Sequence, residues 1–204
     1  MAIVSMQFSL FGAAAADPSL ADLDGVLLAG GHWVRSLGGA RLSVVVADEW
    51  RAEALAEAYD LRGVGVSGGI GGAFDDSVVP AEGGWAARTA FSPELLDHAA
   101  RWTRGANEGP PAGFVLTPGG LRLWAIAAGR PDESGYLLGT AEPDDAVHVS
   151  GGAQLSRLGV AAVSIAQRGG GPGWRVTSLK RLRRLIELLG EAPDGGAEFW
   201  PHPG

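Results

Sequence analysis

Cysteine is absent from this 204-residue chain. Its absence excludes disulfide frameworks, thiolate zinc ribbons, iron–sulfur clusters and thiol nucleophiles. Lysine occurs once, at Lys180, and no G-K-[ST] phosphate loop exists. No Lys or Arg precedes Arg35, so residues 1–16 lack the charged n-region of a secretory signal. No uninterrupted apolar run approaches the roughly 18 residues of a membrane span. These absences lead to the expectation of a cytoplasmic protein with no membrane partner. Whether Met1 or Met6 is the native start stays open.

Hydrophobic residues make up 46% of the chain and charged residues 19%, a balance that folds rather than remaining disordered. The length fits one domain of ordinary size or two small halves sharing a core. Glycine (33) and proline (12) are plentiful, which predicts long loops between short elements. A net charge of −7 argues against wholesale coating of nucleic acid by the surface, while leaving room for a local basic patch.

Asp17-Pro18, Ser92-Pro93 and Thr117-Pro118 each place a capping side chain before proline, the pattern of a helix start. A fourth helix is predicted over residues 49–61, capped by Asp48, and a last one where Leu179, Leu182, Leu185, Ile186 and Leu189 recur up to Gly190. Residues 33–36, 41–47, 64–67, 85–91, 136–140, 160–166 and 174–179 read as strands, with Gly38-Gly39 and residues 169–173 as hairpin turns. A weaker helix is expected over residues 144–158. The second half repeats the order of the first, so we expect an α+β fold with antiparallel sheets and pseudo-two-fold symmetry. The expected divisions are a first half at 17–104, a linker at 105–116, a second half at 117–190 and a loose tail at 191–204.

Residues 23–33, LDGVLLAGGHW, resemble the signature of the LAGLIDADG superfamily, with Leu23, Gly25, Ala29 and Gly31 identical. Residues 121–129, LRLWAIAAG, are a fainter second copy that keeps Leu121, Ala127 and Gly129. LLAGGHW is also similar to the degenerate form in the WhiA family of bacterial regulators, and the order from YLLGT to RLRRLIELLGE resembles the later part of that family's domain. The resemblance covers roughly residues 17–190 and implies a duplicated αββαββα fold. No helix-turn-helix module of the WhiA kind follows, so transcription-factor activity is not implied. Independently of any family, small residues at helical spacing allow close helix crossing. Gly25 with Ala29, and Ala125 with Ala128 and Gly129, are therefore expected to meet, and Asp24 and Arg122 are candidates to pair across the axis.

In LAGLIDADG endonucleases an acidic residue near the motif's end holds a divalent metal. Here Gly30 and Ala128 occupy those positions, so the resemblance implies no strand cleavage, no catalytic residue and no metal. An alternative register that pairs Asp24-Gly25 with the motif's D-G would keep strand cleavage open, and a hydrolase built around Ser67 or the acidic pairs is a third reading whose geometry the sequence does not support. Other motifs lack the required context: Gly63, Gly65 and Gly68 follow a predicted helix instead of opening one, and Ser67 in G-x-S-x-G has no helix behind it. The four histidines are isolated in sequence, and Asp75-Asp76 and Asp144-Asp145 read as solvated turns or caps. No cofactor is expected.

The charge is segregated. Residues 168–184 carry Arg168, Arg175, Lys180, Arg181, Arg183 and Arg184 with no acid, whereas residues 1–167 hold ten basic and nineteen acidic residues. Four of the six crowd the first turns of the last helix, where the macrodipole disfavours cations by roughly 0.3–1 kcal/mol each. Helix stability does not explain that arrangement, whereas an anionic partner does. The expectation is a catalytically inactive protein that binds DNA or RNA through this patch or acts as a regulator. The alternative, which the net charge favours, is a protein-interaction module.

Overall fold

A computed structural model describes residues 12–13, 16–66, 77–104, 107–142 and 146–202. Ser67, Gly68, Asp75, Asp76, Asp144 and Asp145 lie outside the described residues. One 3-10 turn, Leu20–Leu23, runs directly into helix α1 (Asp24–Leu28). The first half continues through β1 (His32–Ser36), β2 (Gly39–Val46), α2 (Glu49–Asp60), β3 (Val78–Ala81), β4 (Gly84–Arg88) and α3 (Leu95–Trp102). A two-residue hairpin, β5 (Thr103–Arg104) and β6 (Asn107–Glu108), leads to the second half. That half consists of α4 (Pro118–Ala128), β7 (Gly129–Asp132), β8 (Gly135–Gly139), α5 (Ala146–Arg157), β9 (Val163–Ile165), β10 (Gly173–Val176) and α6 (Leu179–Leu189).

Helix–strand–strand–helix–strand–strand–helix therefore occurs twice. Each half forms a four-stranded antiparallel sheet, ordered β1-β2-β4-β3 and β7-β8-β10-β9. The α+β class and antiparallel pairing expected from the sequence hold. In β2 the alternation is plain: Ala40, Leu42, Val44 and Val46 are buried in the core, while Arg41, Ser43 and Val45 point the other way. One hydrophobic cluster joins Leu42 and Leu55 of the first half to Trp124, Leu138 and Leu185 of the second, so among the described residues the two halves share a core.

Helix α4 is the hub. It is apolar almost all round and touches α1, α2 and α6 as well as both sheets, as a helix hydrophobic on every side must. Thr117 caps it by accepting the Gly120 N–H at 2.8 Å, as the Thr-Pro pair predicts. Beside the cap lies buried Asp22, whose carboxylate accepts from Thr117 Oγ1 (2.6 Å), Ser19 N–H (3.1 Å) and Arg62 Nη2 (2.7 Å).

The crossing of α1 and α4 departs from the expected register. Gly25 packs against Gly120, more than a turn before Ala125, and a Cβ on Gly25 would collide with the Gly120 carbonyl. The physical reason is that two adjacent glycines, Gly119 and Gly120, let the backbones approach more closely than the alanines further along. Asp24 and Arg122 do not pair. Asp24 is buried against α3, with Oδ1 accepting from Trp102 Nε1 and lying 2.7 Å from His98 Nε2. Arg122 faces away from it and donates to the carbonyls of Leu189 (2.6 Å) and Glu191 (2.5 Å).

Three further expectations change. Residues 64–66 form no strand; the edge of the first sheet is β3 instead. The described part of the linker is packed, since Gln154 brackets it by donating to the Phe114 carbonyl and accepting from Leu116 N–H. The tail is not loose, because Trp200 is buried and donates to the Gly190 carbonyl at 2.8 Å, while Phe199 stacks on Trp50.

Candidate nucleic-acid interface

Helix α6 buries Leu182, Leu185, Leu188 and Leu189, which turns Lys180, Arg181 and Arg183 outward to solvent and leaves Arg184 half-buried. These four basic side chains line one open concavity of about 790 Å³ with Gly159, Ser178 and Glu187. Arg184 pairs with Glu187 at 3.2 Å on the exposed surface, a contact of small energetic weight. Among the described residues the side chains of Lys180, Arg181 and Arg183 form no ion pair.

The other two basic residues of the predicted patch do not line that concavity. Arg168 is exposed in the short 3-10 turn Gln167–Gly169 between β9 and β10. Arg175 projects from β10 and grips Asp132 of β7 with Nε and Nη2 at 2.9 and 2.7 Å, and Nη2 also donates to the Gly169 carbonyl at 3.1 Å. Its charge is therefore already matched.

Desolvation raises the pKa of the Asp132 carboxyl. The hydrogen bond from Arg175, the Ser134 N–H and the charges of Arg175 and Arg130 outweigh that effect and hold it below the ordinary value. A pKa lower in the folded state than in the unfolded state stabilises the fold above the unfolded value near 3.9, and that stability is lost as pH falls through the folded value. A carboxyl titration followed by NMR is expected to place the Asp132 midpoint below about 3.9, with Arg175→Gln moving it upward.

The strand registers expose arginines that the charge run did not include. Arg41 faces away from the core on β2, and Ser43, two residues on, pairs with Arg88 of β4, so both arginines share with His32 the sheet face opposite Leu42 and Val44, on which Ser43 is itself buried. On the second sheet Arg130 of β7 and Arg175 of β10 flank Leu137 on the face opposite Tyr136 and Val176. Arg130 donates to the Gly170 carbonyl, so both arginines also secure the glycine loop. The alternation of polar and apolar residues in β2 was the signal for Arg41. No comparable signal marks Arg88 or Arg130.

At the motif ends, Leu23 is fully buried, and Ala29 closes α1 as its C-cap residue. Gly30 follows with a left-handed φ of 98° beside Ala141, and Gly31 lies so near the Val26 carbonyl that a Cβ would stand 2.8 Å from it. Gly129, after Ala128 at the end of α4, leaves room for the buried Tyr136 hydroxyl, whose pKa burial pushes above the usual phenol range. The carbonyls at this end are taken by a guanidinium: Arg51 Nη1 donates to Ile126 at 2.7 Å and Nη2 to Gly129 at 2.8 Å. A positive group therefore stands at the end of α4 where a metal-binding motif presents a carboxylate. Asp22 and Asp24, the nearest acids to the first motif, are occupied by Arg62, Thr117, Trp102 and His98.

No protein-family model matches this chain, and no curated protein matches it.

Proposed function

We propose that this chain is a LAGLIDADG-like protein without nuclease chemistry, cytoplasmic, that acts as a nucleic-acid-binding or regulatory protein, with α6 as the surface for DNA or RNA. The observation that carries the reading is the concavity where Lys180, Arg181 and Arg183 form no ion pair among the described residues, in a chain of net charge −7. Unpaired cations held together on a rigid helix attract a phosphodiester backbone and release its counterions on binding. The repeated αββαββα order and the close contact of α1 with α4 support the LAGLIDADG-like part, together with the LLAGGHW motif. WhiA-like descent rests on sequence likeness alone.

Duplex DNA is expected to bind at about 50 mM salt, where the electrostatic contribution is strong, and to be released as salt rises. No measurable affinity for DNA or RNA under those conditions would end this reading. Arg88→Gln by itself tests whether that face of the first sheet also docks: a flatter salt dependence than that of the unaltered protein places nucleic acid there, and no change leaves α6 as the surface. With Mg²⁺ or Mn²⁺ the protein is expected neither to nick nor to cut DNA, because Gly30 and Ala128 supply no oxygen ligand. Cleavage abolished by Asp24→Asn would instead establish the alternative motif register.

The second reading, a protein-interaction module, is favoured by the net charge and by Val45 and Val163, exposed apolar side chains, one on each sheet. Retention on heparin that falls with salt separates the two, since only the nucleic-acid reading predicts it.

A further inference from the structure

Outside the α6 concavity, Thr140 just after β8, His148 on α5 and Ser164 on β9 form a second cluster of reactive groups. His148, on α5, is 2% exposed. Its Nδ1 lies 3.0 Å from Thr140 Oγ1 and its Nε2 lies 2.8 Å from Ser164 Oγ. The ring cannot turn easily. It stacks on Trp174 with centroids 4.7 Å apart, and the Trp174 indole N–H donates to the His148 carbonyl at 2.9 Å. Gly152 leaves the space that the indole fills, since a Cβ there would collide with it. Thr140 is fixed in turn by its own N–H, which donates to the Pro172 carbonyl at 3.0 Å.

Ser164 differs from its two partners by being exposed, on β9 at the edge of the second sheet. Its hydroxyl both satisfies the buried Nε2 and reaches the surface. One tautomer gives the arrangement a direction: Nδ1–H donates to Thr140, and Nε2 accepts the Ser164 O–H. In that state the imidazole is a held base beside an accessible oxygen, the geometry that activates a weak nucleophile.

We propose that Ser164 is an activated nucleophile towards short carboxylic esters, with His148 as its base and Thr140 as a positioning residue. Ser164 Oγ attacks the ester carbonyl carbon and passes its proton to His148 Nε2. The carbon–alkoxy bond then breaks, and the leaving alkoxide takes that proton, which gives an acyl-serine and an alcohol. Water, deprotonated by the same nitrogen, attacks the acyl carbon; Ser164 leaves, is reprotonated, and the carboxylic acid departs. This inference is independent of the nucleic-acid reading, because none of the three residues lines the basic concavity.

The test treats the full chain with an alkyl fluorophosphonate, which a serine oxygen captures with loss of fluoride, and locates the adduct by peptide mass. Base assistance contributes on the order of a hundredfold or more, so Ser164 is expected to label at least about 100-fold faster than exposed Ser36. Ser164→Ala is expected to remove that adduct. His148→Gln is expected to bring Ser164 down to the Ser36 rate, and Thr140→Val to slow it about tenfold with an unchanged far-UV CD spectrum. Equal rates at Ser164 and Ser36 in the unaltered protein overturn the proposal, and that comparison stands even where His148→Gln does not fold. Fast labelling of Ser164 that is indifferent to both Thr140→Val and a folded His148→Gln overturns the assignment of the base.

Discussion

Gly25→Ala is expected to destabilise the protein by on the order of 4 kcal/mol or to prevent folding, among the largest effects of a single methyl group anywhere in the chain. The added carbon would fall on the Gly120 carbonyl, a backbone atom that no rotamer change can move aside. Relief requires α1 and α4 to separate, and α4 carries contacts to α2, α6 and both sheets. Gly38→Ala is the control: nothing lies within 4 Å of a Cβ there, so its effect is expected to stay within about 0.5 kcal/mol. Urea denaturation checks both, read as a shift of midpoint at constant slope. A Gly25→Ala midpoint equal to that of the unaltered protein would mean that the helices do not cross at this glycine.

Arg51→Met is the second large effect, expected near 3 kcal/mol, because it leaves the Ile126 and Gly129 carbonyls without their donor in a buried place. Arg51→Lys is expected to recover only part of the loss, since a single ammonium cannot reproduce the planar fork that reaches both carbonyls. The same urea titration measures it, and equal stability of the Lys and Arg forms would show that charge alone is what this end of α4 needs.

Arg51 belongs to a set. Arg62 donates to the Ala58 carbonyl near the end of α2, Arg51 closes α4, and Arg122 donates to the Leu189 carbonyl at the end of α6. Each places a cation where the helix dipole is negative and where backbone acceptors lack partners. These arginines are part of the fold. Lys180, Arg181 and Arg183 sit toward the opposite, unfavourable end of their helix and face solvent, and that contrast separates a charge kept for structure from one available to a partner.

Local signals in the sequence are readable where one residue dictates the backbone. Thr117-Pro118 marks the start of α4 and Gly190 ends α6, while the Gly38-Gly39 signal lies one residue beyond the actual Leu37-Gly38 turn, since Gly39 already pairs with Ser36. The strand at Val78–Ala81 was missed because Pro80 and only two valines make a weak pattern, one that an edge position tolerates because no neighbour needs the missing N–H. Trp200 has no periodicity to announce it, and its anchor is a carbonyl ten residues back. The Asp24–His98 and Arg175–Asp132 partnerships span 74 and 43 residues, distances at which composition and spacing carry no information about contact. Charge segregation did locate the α6 group, but it joined Arg175 to that group because a linear count ignores the carboxylate facing it across the sheet.

The salt dependence of DNA affinity, compared between the unaltered chain and an Arg181→Gln/Arg183→Gln/Arg184→Gln variant, tests the central claim most directly. Each phosphate contact contributes about 0.9 to the log–log slope on duplex DNA, so losing three is expected to flatten it by about 2.7. Identical slopes for the two proteins would contradict the assignment of nucleic-acid binding to α6.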